Sequence, residues 1–185
     1  MKISNPNSHR FSFCPDCGKE TLAPDNEKSF LCSACGFLLF INCAAAAMAI
    51  ILDEKNRVLV TRRKRDPAQN SLDLPGGFAE PGEGIEACLT REIKEELNLE
   101  VIALTYLCSF PNAYPYKSVV YPVTDMAFVC HVKDFDHIKA MDDVADFSFM
   151  PVSRLIPENF GMASARKTIE YIKTDLSVLP GASGP

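Results

Sequence analysis

Two short cysteine pairs, Cys14-Pro15-Asp16-Cys17 and Cys32-Ser33-Ala34-Cys35, constrain this chain more than any other feature. The 14 residues from Gly18 to Leu31 between them are too few to bury an apolar core, so the segment needs a staple. A glycine follows each pair, Gly18 and Gly36, where a turn must curl its N–H groups toward the sulfurs and positive φ is cheap. In a reducing compartment such pairs are metal ligands before they are disulfides. Zn²⁺ favours four thiolates in a closed tetrahedral shell, and its binding supplies about 10–16 kcal/mol of folding energy to so small a module. Residues 10–42 therefore read as a zinc ribbon with Cys14, Cys17, Cys32 and Cys35 as ligands. Four thiolates leave no open position for water, so this zinc is a scaffold and not a catalyst. The other four of the eight cysteines, Cys43, Cys88, Cys108 and Cys130, stand singly in apolar sequence and read as small buried side chains.

Charge and hydropathy exclude several classes. With 19 Lys+Arg against 24 Asp+Glu the net charge is −5, which leaves no global positive field for non-specific nucleic-acid binding or for a polybasic membrane role. The longest uncharged apolar run, Ile41 to Leu52, falls short of the roughly 20 residues a membrane span needs. Met1 to Ser12 lacks the apolar stretch of a secretory signal, so the expected location is the cytoplasm.

From residue 43 to about 180 the pattern alternates strands and helices, which predicts an α/β sandwich. Ala44–Leu52 and Val58–Thr61, joined by the polar turn Asp53–Arg57, read as a hairpin. A strand-like Leu72-Asp73-Leu74 meets Pro75-Gly76-Gly77, and a helix is expected at Ile85–Leu97. Strands follow near Val101–Phe110, Tyr121–Val132 and Phe147–Pro151. A last helix spans Ala163–Leu176 with Ala163, Ile169, Ile172 and Leu176 on its buried face, and Pro180 to Pro185 read as a loose tail.

The first helix breaks its own amphipathic rule. With Glu92 at zero on a helical wheel, Ile85, Leu89, Ile93 and Leu97 fall at roughly 20, 60, 100 and 140°, and Glu96 lands near 40°, inside that apolar stripe. Glu95 falls near 300°. Carboxylates buried without partners are expensive, so something positive must meet them. Glu92, Glu95 and Glu96 stand three and four apart and share one patch, a set of hard oxygen donors suited to Mg²⁺ or Mn²⁺. Arg91 is placed to hold these carboxylates and Glu83. Gly77 permits close backbone approach and offers a carbonyl to the same ion, and Asn98 is fit to end the helix in a left-handed conformation.

Written out, these residues are Gly77-x5-Glu83-x7-Arg91-Glu92-Ile93-Lys94-Glu95-Glu96-Leu97-Asn98-Leu99. The run resembles the Nudix box, G-x5-E-x7-R-E-U-x-E-E-x-G-U, and departs from it only in Asn98. The resemblance implies a Nudix-type α/β/α sandwich that hydrolyses a nucleoside diphosphate linked to another moiety. It implies that Glu92 and Glu96 ligate the catalytic metal, that Glu95 ligates or acts as base, and that Glu83 supports the site through Arg91 or water. A loop acid before the Phe147 strand, Asp143 beside Asp142, is a further candidate ligand.

A zinc ribbon ahead of such a domain is similar to NADH pyrophosphatases. Their downstream motif S-Q-P-W-P-F-P-x-S is met at Ser109, Pro111, Tyr114 and Pro115, but its Gln, Trp, middle Pro and final Ser are absent. That leaves NADH, ADP-ribose and related nucleotide sugars as substrates. Phe110, Tyr114 and Tyr116 are candidates to stack on a base. Arg62 and Arg63, from the run Arg62-Arg63-Lys64-Arg65, are candidates for the diphosphate. The resemblance also admits a homodimer, and a nucleotide-sensing or RNA-binding regulator as the competing reading. Against RNA, Arg10, Lys19 and Lys28 in the ribbon are outnumbered by Asp16, Glu20, Asp25 and Glu27. His9, His131 and His137 have no companions for nucleophilic catalysis.

Overall fold

A computed structural model describes residues 5–180; the expected tail lies almost wholly outside them. The chain forms two compact units, one running to Cys43 and taking in Ala113–Pro122, the other made of Ala44–Asn112 and the chain from Val123 onward. Among the described residues no helix is long and apolar enough to cross a membrane.

In the first unit β1 (Leu22–Pro24), β2 (Ser29–Cys32) and β3 (Leu38–Phe40) form an antiparallel sheet. Its small core is Phe30, Leu22, Cys14 and Cys32, with Phe11, Phe37, Leu39 and Ile41 packed around it. Phe11 meets Phe30 edge-on at 5.3 Å. The unit is larger than the ribbon read over residues 10–42. Buried Asn7 receives the Val120 N–H at 2.8 Å and donates to the Val120 carbonyl at 2.9 Å, imitating a strand partner across 113 positions.

The second unit holds β4 (Ala44–Ile51), β5 (Arg57–Arg63), β6 (Leu72–Asp73), β7 (Gly76–Phe78), α1 (Ile85–Leu97), β8 (Val101–Tyr116), β9 (Val119–Val132), β10 (Val144–Pro151) and α2 (Ala163–Thr174), with the tip of β8 and β9 belonging to the first unit. One sheet has the order β7-β4-β9-β8 and a second the order β10-β5-β6. On one face of β4, Ala47, Ala49 and Ile51 pack with Leu89, Ile93 and Leu97 of α1. On the other, Met48 meets Thr168 of α2. The chain thus has the mixed α/β, helix–sheet–helix layering expected of it.

Four expectations change. The hairpin Ala44–Leu52/Val58–Thr61 turns as read, but only the bridge Leu52↔Val58 joins its arms, and β4 and β5 enter different sheets. The reason is burial: β4 is buried continuously from Ala46 to Ile51, the signature of a strand covered on both faces, and it pairs in parallel with β9 instead. The strand expected to end near Phe110 runs on through the aromatic segment, which forms the second half of β8 and ends in a turn where Lys117 and Ser118 have φ of 44° and 74°. The buried face of α2 is Ser164, Ala165, Thr168, Ile169 and Ile172, whereas Ala163 and Leu176 are exposed; an i, i+4 stripe led by Ala165 and Ile169 sets the contact. Cys43 is exposed rather than buried, because the chain leaves the ribbon there before entering β4.

Candidate active site and cysteine centre

α1 begins after Gly84 and ends at Asn98, whose φ of 55° and ψ of 29° let its N–H cap Lys94 O. Between those ends the helix delivers three glutamates to different environments. Glu96 is 9% exposed, and its Oε2 accepts a hydrogen bond from Gly76 N at 2.9 Å. Gly76 has φ of 141°, and a Cβ there would lie 2.1 Å from Ala47 O, so the donor is available only because the residue is glycine. Burial pushes the Glu96 carboxyl up to about 8; the Gly76 N–H opposes this, while the charges of Glu92, Asp73 and Asp143 add to it. Burial also raises Glu92, against the pull of Arg91.

Glu92 rests on Gly77. A Cβ at Gly77 would stand 2.5 Å from Glu92 Oε1, so the missing side chain is the seat of the carboxylate. Arg91 gathers the rest of the cluster. Its Nε and Nη2 donate to both oxygens of Glu83 at 2.9 Å, its Nη1 to Glu92 at 2.9 Å and to Glu95 at 3.0 Å, and Nη2 also reaches Phe78 O at 3.1 Å. The three carboxylates are therefore divided: Arg91 draws Glu92 and the half-exposed Glu95 one way, and Gly76 holds Glu96. Hard carboxylate oxygens are the donor chemistry that a divalent cation takes, and burial raises two of the three carboxyls.

Two expected outcomes follow from this geometry. Gly77→Ala should weaken the apparent affinity for Mg²⁺ or Mn²⁺ by on the order of tenfold or more, because Glu92 must vacate its seat. Gly84→Ala, which meets nothing nearer than Glu86 Oε2 at 3.9 Å, is the control in a metal titration of activity. The second outcome concerns pH. A carboxyl whose folded value is raised from 4.5 to about 8 contributes stability that is present below its unfolded value and lost as pH rises through the folded one. In metal-free protein, Glu96→Gln should thus gain unfolding temperature over the native chain as pH climbs through that window, and thermal melts at several pH values check it.

Around this cluster the structure reassigns the basic run. Arg63 pairs with Asp73 at 2.7 Å and donates to Pro67 O at 2.7 Å, so it braces β6 and is not a free guanidinium for a diphosphate. Alternation along β5 turns it inward onto an acid that burial would otherwise strand. Arg62 donates to Asn70 O at 2.6 Å. Lys64 N bonds Asp143 O at 2.9 Å, and Arg65 pairs with the Asp143 carboxylate at 2.9 Å, fixing the acidic loop whose charges reach Glu92 and Glu96. Asp73 and Asp125 escaped the sequence reading. Their one signal was an acid set among apolar strand residues.

The stacking candidates are split. Phe110 is half-buried in the second unit, whereas Tyr114 and Tyr116 belong to the first, Tyr116 being 49% exposed with Lys117 Nζ 5.4 Å from its ring centre. His9, His131 and His137 are all exposed.

The four ribbon sulfurs lie within 4.8 Å of one another, the one such group of metal-ligating atoms among the described residues. Cys14 and Cys35 sulfurs are 3.7 Å apart and those of Cys17 and Cys32 3.8 Å. A tetrahedron with Zn–S bonds of about 2.3 Å has edges of about 3.8 Å, so the cage already has zinc's dimensions. Gly18 and Gly36, at φ of 71° and 79°, close the two knuckles with N–H bonds to Cys14 O and Cys32 O. Thr21 Oγ1 lies 3.1 Å from the Cys32 sulfur, and that hydrogen bond lowers the thiol below its ordinary value, favouring the thiolate a metal requires.

Comparison with known proteins agrees with this architecture. The NUDIX domain family matches residues 43–172. The NAD-capped RNA hydrolase NudC of Pseudomonas aeruginosa (strain LESB58) is 26% identical over 174 residues, covering 91% of this chain and 60% of the relative. The chain thus spans about three fifths of the length of the NudC proteins it matches. An ADP-ribose pyrophosphatase of Methanocaldococcus jannaschii is 34% identical over 113 residues, 60% of this chain and 64% of that one. Among solved structures, a NUDIX hydrolase from Nitrosomonas europaea superposes with a TM-score of 0.63 at 18% identity, over 90% of this chain and 93% of that one, which speaks to the fold. A family match over most of the chain, laid on a sheet and box helix of the same layering, makes this protein a member of the Nudix hydrolase family.

Proposed function

We propose that the second unit hydrolyses, with Mg²⁺ or Mn²⁺, the pyrophosphate of a nucleoside diphosphate derivative of the NADH or ADP-ribose type and releases a nucleoside monophosphate. The observation that carries this reading is Glu96, a carboxylate buried against Gly76 N beside a second acid seated on Gly77. Glu92, Glu96 and the Gly77 carbonyl are the groups to hold the ion, with Asp143 as a further donor. When bound, the ion supplies charge neutralisation on phosphate oxygens and an acidified water. The chain's own residues do the remainder. Arg91 keeps Glu83, Glu92 and Glu95 in register, the two glycines bring backbone and carboxylate together, and one of the three box glutamates takes the proton of the attacking water. The names of the relatives, an NAD-capped RNA hydrolase and an ADP-ribose pyrophosphatase, support the substrate class. Zinc in the cysteine cage is structural in this reading.

The test offers NADH, NAD, ADP-ribose, NAD-capped RNA, diadenosine compounds and nucleoside triphosphates with Mg²⁺ or Mn²⁺, and identifies products by mass. AMP from NADH or ADP-ribose is expected. Cleavage of triphosphates alone overturns the assignment.

A further inference from the structure

Asp125 is a buried acid outside the box. It lies on β9 at 8% exposure and is the Cα partner of Ala46 on β4, which is in turn the partner of Phe78 on β7. Directly paired residues share a face, so Phe78, Ala46 and Asp125 form one row across the sheet. The next row, Gly77, Ala47 and Met126, faces α1, and there Gly77 meets Glu92. The row holding Asp125 is thus on the opposite face, with its Phe78 end next along the chain to Gly77. The charge of Asp125 is felt at Asp73.

The partners of Asp125 are neutral. The Ser164 hydroxyl, at the start of α2, donates to Oδ2, and the Asn112 side chain bonds the same carboxylate. Asp53, Asp73 and Glu83 each lie against an arginine; among the described residues Asp125 makes no ion pair. Burial accordingly raises its carboxyl. Asn in its place would keep an acceptor for the Ser164 hydroxyl, so that bond by itself does not require a charge. An ionised carboxylate offers about four acceptor sites. In the same row Ala46 is small and buried, and Phe78, at its end, is 37% exposed.

We propose that Asp125, anchored by Ser164 and Asn112, is a specificity-determining residue that accepts a hydrogen bond from an –NH₂ group on a base of the substrate. The assignment rests on the nucleotide reading of the box and names the part of the substrate read on the other side of the sheet. Two groups have this chemistry in a dinucleotide, the exocyclic amine of a purine and the carboxamide of a nicotinamide, and the experiment separates them.

The whole 185-residue chain, loaded with zinc, is assayed on two substrate pairs that differ at the –NH₂ group. One is ADP-ribose against its analogue with unsubstituted purine, the other NADH against the analogue whose carboxamide –NH₂ is a methyl group. The native chain should prefer the amino-bearing member of one pair by roughly ten- to a hundredfold in kcat/KM, and that pair identifies the group read. Asp125→Leu should bring the ratio close to one, and Asp125→Asn, with a neutral acceptor, should leave an intermediate ratio; thermal melts show which variants fold, and Asp125→Asn decides alone if Asp125→Leu does not. Equal treatment of both pairs by the native chain overturns the proposal, as does full preference retained in a folded variant. Equilibrium binding of the same pairs reads the contact without turnover. Absence of any hydrolysis by the native chain would therefore count against the box reading, while the binding ratios still decide the role of Asp125.

Discussion

Glu96→Gln should reduce turnover by on the order of 10³-fold or more while leaving the fold and the zinc content as they are. Glutamine has the volume of glutamate, and its amide oxygen can keep the bond from Gly76 N that Glu96 Oε2 makes at 2.9 Å. What is lost is the negative charge and the basic oxygen at the most buried point of the cluster, where Glu96 is 9% exposed. A low local dielectric makes that charge worth more to a bound cation than a surface carboxylate would be. The conservative variant should also lose the steepness of its Mg²⁺ dependence, whereas Glu95→Gln, at a half-exposed position, should retain it. Steady-state rates over a metal titration, with circular dichroism and metal analysis as controls, give the answer. Turnover within tenfold of the native chain would remove Glu96 from the reaction.

The second large effect is on the first unit. Removing zinc with a chelator, or substituting Cys32→Ser, should unfold that unit outright. Its apolar core is small, with Phe30 and Leu22 as the main buried side chains, each contributing about 1.5–3 kcal/mol, whereas a four-thiolate zinc site contributes about 10–16 kcal/mol. The loss should spread beyond the ribbon strands. Asn7 closes both polar groups of Val120, so amide exchange at Val120 should accelerate together with that at Phe30 when zinc leaves. Hydrogen exchange resolved by residue measures this directly. Unchanged protection of Phe30 in protein shown by elemental analysis to be zinc-free would sink the staple argument.

Much of this molecule was legible in the order of its residues because the relevant distances along the chain are short. Cys-x2-Cys with a following glycine defines a knuckle within five residues, and the sulfurs end up at the spacing of a tetrahedron. Helical periodicity alone put Glu96 among Ile85, Leu89, Ile93 and Leu97, and α1 starts and stops at the residues the pattern marks. Asn98 could be read as a left-handed cap because that choice depends on one residue's own sterics.

Tertiary structure decided the rest. Nothing local says that β4 and β5 part company, since a turn sequence states only that the chain reverses and not which strand each arm then pairs with. Nothing local says that Arg63 is committed to Asp73, that Gly77 is an empty seat for Glu92, or that Asn7 serves as a strand partner for Val120. Each of these joins groups 10 to 113 positions apart. The sequence by itself determined which side chains share a helix face or a knuckle, because covalent geometry and backbone dihedrals settle that within a turn or two. Only the folded chain decided which of those groups are buried, which charge meets which, and that Asp125 lies one row from the box, because those facts depend on sheet register and on the exclusion of water by distant segments.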